Sequence, residues 1–108
     1  MVTLIQAVSS NFVVIVDDVF VISGDWDQET TNSNLLIATI VHQNNPGIYT
    51  PPTGWVQIGE TLNNGDIYIS YWYILNASIQ SASQSWFFTN NTITALIMLE
   101  YSVGYEVE

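Results

Sequence analysis

Hydrophobic and polar positions alternate with a period of two along much of this 108-residue chain, and no stretch sustains a helical repeat. The pattern predicts strands at Val2 to Val8, Phe12 to Val16, Val19 to Ser23, Leu35 to His42, Trp55 to Glu60, Asp66 to Leu75, Ser85 to Thr89 and Ile93 to Val103. All are rich in Val, Ile, Thr and aromatic side chains, which fit a pleated surface. Between them lie turn-forming clusters: Asp17-Asp18, Ser23-Gly24-Asp25, Asn44-Asn45-Pro46-Gly47, Pro51-Pro52-Thr53-Gly54, Asn63-Asn64-Gly65-Asp66 and Asn90-Asn91. Asn64-Gly65 is the strongest hairpin signal, because both residues tolerate positive φ, and it should join the Trp55 and Asp66 strands as antiparallel neighbours. Strands without helices predict an all-β fold. We expect a single domain over residues 1–108, an antiparallel two-sheet β-sandwich of about eight strands in jelly-roll or immunoglobulin-like order.

The last strand alternates most cleanly. Ile93, Ala95, Ile97, Leu99, Tyr101 and Val103 share one face, Thr94, Leu96, Met98, Glu100 and Ser102 the other, and the first set is expected to face the core. In the Asp66 strand both faces carry large side chains, and Leu35 to His42 is apolar on both sides. A sandwich buries one face of each sheet, so some of these side chains must lie outside the core. Tyr68, Trp72, Leu96 and Met98 are the candidates for a partner interface, unless loops cover them.

Charge changes the picture. The chain has no Lys, no Arg and no Cys, ten Asp and Glu residues and a formal net charge of -10. With ordinary usage, a chain of this length would lack basic side chains on the order of one time in a million. A surface without cations cannot neutralise phosphates, which excludes nucleic-acid binding and disfavours anionic membranes. An electrostatic partner would be a cation or a basic protein patch. No basic, continuously apolar leader opens the sequence, and no run approaches the roughly 18 apolar residues of a membrane helix. The sequons Asn76-Ala77-Ser78 and Asn90-Asn91-Thr92 are expected by chance in a chain so rich in Asn, Ser and Thr.

Catalytic signals are sparse. His42 is the only imidazole and is followed by Gln43-Asn44-Asn45, and no nucleophile elbow, phosphate loop or zinc spacing occurs. The expectation is that the protein is not an enzyme and has no catalytic residues. Asp25-Trp26-Asp27-Gln28-Glu29 sets three carboxylates at alternate positions, the start of a calcium-loop pattern without its glycine or later Glu, so Asp25, Asp27 and Glu29 are the candidate calcium ligands beside the alternative of an exposed acidic loop. No other cofactor is expected. Tyr49, Trp55, Tyr68 and Trp72 could instead stack on sugar rings, with Asn and Gln binding hydroxyls, although aromatics in sandwiches are more often core.

The opening Val2-Thr3-Leu4-Ile5-Gln6-Ala7, the segment Ser33-Asn34-Leu35-Leu36-Ile37-Ala38, the turn Pro52-Thr53-Gly54-Trp55, the aromatic strand Ile69 to Ile74 and the ending Leu99-Glu100-Tyr101-Ser102 follow one another in a characteristic order. In that order the chain resembles a jelly-roll-like module of bacteriophage virion proteins, such as capsid decoration proteins and tail-fibre parts, and of bacterial extracellular proteins. It departs at Val103-Gly104-Tyr105, where the module usually has Gly-Val-Asp. The resemblance implies a scaffold with a virion location, most simply a decoration or cement protein that binds capsid or other virion proteins and forms a homo-oligomer. The alternative is an extracellular or tail-fibre adhesion module that binds carbohydrate, with calcium as a candidate cofactor.

Overall fold

The computed structural model describes residues 2–31, 33–75 and 83–103, all of it strand, turn and loop. The strands are β1 (Val2–Ser10), β2 (Val13–Val16), β3 (Val19–Asp25), β4 (Leu35–Gln43), β5 (Tyr49–Thr50), β6 (Val56–Gln57), β7 (Leu62–Asn64), β8 (Ile67–Ile74), β9 (Ser83–Phe88) and β10 (Ile93–Val103). They form two antiparallel sheets. One has six strands in the order β1-β10-β4-β8-β6, with β7 also on β8; the other has four in the order β2-β3-β9-β5. The chain passes from β1 to the β2–β3 hairpin of the other sheet, back to β4, across to β5, back to β6, β7 and β8, across to β9 and back to β10, which pairs with β1. This is a β-sandwich, of ten strands among the described residues rather than about eight. The two additional strands, β5 and β7, are too short to give a periodic signal. The segment Trp55 to Glu60 contains only the two-residue β6, which does pair with β8.

Turn chemistry fixes the hairpins. Asp17 and Asp18, at φ 49° and 64°, form a two-residue connection between Val16 and Val19, and positive φ at both positions matches the strand twist. The β7–β8 hairpin turns on Gly65 and Asp66, one residue later than Asn64-Gly65, with positive φ at Gly65. Gly24 does not break its strand. β3 runs through it, and a Cβ there would sit 2.5 Å from Met98 Cε and 3.0 Å from Leu96 Cδ2, so the glycine leaves room for the ends of these two side chains from the other sheet.

All four tryptophans are buried between the sheets. Trp86 meets Trp55 edge to face at 5.0 Å and Trp72 at 6.2 Å, while Phe88 meets His42 at 5.0 Å. Leu36, Ala38 and Ile40 of β4 and Ile22 of β3 fill the space around them. The faces of β8 and β10 are opposite to those expected. Leu96 and Met98 are 1% and 0% exposed and Trp72 is 3% exposed, so these three residues are core and form no free interface. Ile93, Ala95 and Ile97 point away from the core. The inward phase of β10 also carries Thr94 and Glu100, whose polarity argued for solvent, but both find buried hydrogen-bond partners on distant segments.

Candidate docking face

With the core on one side of the six-stranded sheet, its outer face is built from the other phase of every strand. Ladder register sets the side chains in rows: Ala7, Leu99, Ile37, Tyr73 and Val56 form one, and Ala95, Val41, Ile69 and Leu62 another. Ile93 is 76% exposed and Ile97 47%. Among the described residues no carboxylate lies on this face. Asp17, Asp18 and Asp66 lie in hairpin turns, Asp25 ends β3, Asp27, Glu29 and Glu60 lie in loops, and Glu100 is buried. Strands β4, β8 and β10 consequently present a largely apolar surface, interrupted on β4 by Thr39 between Ile97 and Tyr71 and by Gln43 between Ile93 and Ile67.

The face is not flat. At the end where β10 begins, a shallow depression of about 350 Å³ is lined by Ser9, Asn11, Ala95 and Ile97, and an adjoining one of about 340 Å³ by Asn11, Val41, Gln43, Ile67, Ile93 and Ala95. Ala95 is common to both, a small residue between two exposed isoleucines on the same strand.

Two buried polar clusters tie loops to this sheet. His42 Nδ1 lies 2.7 Å from Thr92 Oγ1 and 2.9 Å from Thr94 Oγ1, and its Nε2 bonds the Tyr49 hydroxyl. Trp72 Nε1 donates to Ser70 Oγ at 2.9 Å, and Ser70 donates to the Tyr49 oxygen at 3.1 Å. With Ser70 donating to the Tyr49 oxygen, the consistent arrangement has Tyr49 donating to His42 Nε2 and the imidazole proton on Nδ1, facing the threonines. Burial pushes His42 down to about 4, and it pushes Tyr49 up to about 12 against a smaller opposing effect of the Ser70 hydrogen bond. Both are neutral near pH 7, and both imidazole nitrogens are occupied.

At the other end, Glu100 Oε1 accepts from Gln6 Nε2 at 2.8 Å, and Oε2 accepts from Thr31 N and Asn34 Nδ2, both at 2.8 Å. Gln6 Oε1 in turn accepts from Asp27 N and Gln28 N. Three N–H donors take the place of the cation that a chain without Lys or Arg cannot supply.

These clusters account for several residues that the sequence singled out. Tyr49 points inward into the His42 network, Trp55 is buried with its Nε1 on Gln84 Oε1 at 2.9 Å, and Trp72 is core, so these three rings form no sugar platform. Tyr68 lies opposite His42 on the inner phase of β8 and is half-buried, away from the outer face. Asp25, Asp27 and Glu29 are exposed around buried Trp26, and among the described residues no three acidic or His side chains gather to hold a metal ion. Asn76-Ala77-Ser78 and Gly104-Tyr105 lie outside the described residues. Among the described residues no helix is long and apolar enough to cross a membrane.

The outward residues Ile93, Ile97, Ile69 and Tyr71 escaped the sequence reading. Nothing local distinguishes them from core, because each alternates with a residue as suited to the opposite role. The chain matches no protein-family model, no curated protein and no solved structure.

Proposed function

We propose that this protein is a non-catalytic structural component that works by protein–protein assembly through the outer face of its six-stranded sheet. The observation that carries this reading is a largely apolar sheet face on which, among the described residues, no charge stands, the exposed carboxylates described lying in turns, loops and strand ends. The resemblance in strand and turn order supplies the setting: the surface of a bacteriophage capsid, where the chain would act as a decoration or cement protein binding capsid or other virion proteins. The absence of Lys and Arg argues against nucleic acid as the partner. His42, the residue a hydrolase would most need, is enclosed by Thr92, Thr94 and Tyr49, which supports a structural role for it. No cofactor is required.

The experiment is co-sedimentation of the purified chain with intact particles, comparing the natural sequence with Ile97→Asp. Saturable pelleting that the substitution weakens, with the circular dichroism spectrum unchanged, is the expected result. Equal pelleting of both chains would remove the face from the reading. A chain that ignored particles but bound glycans as a monomer would replace assembly with adhesion.

A further inference from the structure

We infer that the occupant of this face is the same face of a second copy of the chain, giving a two-fold dimer in which the six-stranded sheets pack against each other. The inference rests on the docking reading above and names its partner: the chain would join a particle as this dimer, so that Ile97→Asp weakens pelleting by separating the copies. Relief along β10 is self-complementary. Ala95 forms the floor between two depressions, and the most exposed side chains beside it are Ile93 and Ile97, two residues away on either side. A two-fold axis in the plane between the sheets, crossing β10 at the level of Leu96, lays the two β10 strands antiparallel. Each Ile97 then sits over the Ala95 of the other copy. An isologous contact needs this pairing of protrusion and hollow within one patch.

Area and charge point the same way. Four strands of eight to eleven residues, spaced about 4.8 Å apart with a rise of about 3.3 Å per residue, give a footprint of about 600 Å² per copy. That lies at the lower end of the roughly 600 to 1,000 Å² that each partner contributes to a stable interface. Among the described residues no carboxylate stands on the outward phase of β4, β8 or β10, so two copies of a chain of charge -10 can meet over these strands without burying any of those carboxylates. A basic protein would gain more by docking on the turns and loops that carry them, where its cations would find partners. The dimer therefore should tighten with added salt, which screens the repulsion between like-charged copies, whereas a contact with a basic partner should loosen.

Sedimentation velocity on the purified full chain, across protein concentration and at low and high salt, tests this. The expected result is a concentration-dependent dimer that strengthens with salt. Ile97→Asp, which forces a carboxylate into the contact, and Ala95→Trp, which fills the hollow, should each raise the dissociation constant on the order of 100-fold or more. Both positions face outward, and tryptophan fluorescence reports whether each variant stays folded. A natural chain that remains a monomer, or a dimer indifferent to both substitutions, would overturn the inference. If the chain is a monomer and Ile97→Asp still reduces pelleting with particles, the face serves a foreign partner and the docking reading survives. If that substitution also leaves pelleting unchanged, both fail.

Discussion

Acidification should destabilise this protein through its single histidine. A histidine in the unfolded chain takes up its proton near pH 6.5, whereas folded His42 holds off until about pH 4. Burial causes the difference, because it penalises the charged ring. Between pH 6.5 and 4 the unfolded state binds the extra proton and the folded state does not. The stability contribution is therefore complete above pH 6.5 and is lost as the pH falls toward 4. At about 1.4 kcal/mol per pH unit, the full loss is about 3 kcal/mol, a large share of the stability of a small domain. Urea unfolding followed by tryptophan fluorescence, from pH 7 to pH 4, measures it against His42→Gln, which cannot titrate and shares every carboxylate. The advantage of the natural chain over this variant should shrink by about 3 kcal/mol across the range. Should His42→Gln be too unstable to compare, the lone imidazole can be titrated directly by NMR in the folded natural chain. Parallel stability profiles, or an imidazole midpoint near 6.5, would refute the enclosed relay.

Glu100→Gln should cost about 2 to 3 kcal/mol, read as a lower urea midpoint, because one end of the new amide presents a donor to a donor. Turning Gln6 to compensate would set its amide against Asp27 N and Gln28 N, so no rotamer repairs the cluster. Gly24→Ala should cost about 1 to 3 kcal/mol by overpacking the contact with Met98, and adding Met98→Ala should recover part of the Gly24→Ala penalty in a double-mutant cycle.

Strands and turns were legible in the sequence because their causes are local. Runs of Val, Ile and aromatics gave β1, β4, β8 and β10, and Asp17-Asp18 and Gly65 marked hairpins that the structure contains. Which face of each strand points inward was not legible. In β10 the isoleucine phase looks more apolar than the phase holding Thr94 and Glu100, yet the latter is inside. What decides is satisfaction by residues remote in sequence: Gln6 and Asn34 for Glu100, and His42 for Thr94. A buried polar side chain is inexpensive when such partners exist, and no window of neighbouring residues contains them. The same reversal turned Trp72, Leu96 and Met98 from interface candidates into core and left Ile93 and Ile97 on the docking face. Gly24 was read as a breaker because the side chain it accommodates, that of Met98, belongs to the other sheet.

The most direct test of an assembly role for the outer sheet face is its accessibility in the assembled state. The chain has no cysteine, so a single thiol can be placed by Ile97→Cys on that face or by Thr50→Cys on the exposed side of the four-stranded sheet. Maleimide labelling is followed as the protein is diluted from assembling to dissociating concentrations. The predicted result is a thiol at position 97 that is protected in the assembly and reacts on dilution, while the thiol at position 50 reacts equally throughout. Equal labelling of position 97 in both states would contradict the role assigned to this face.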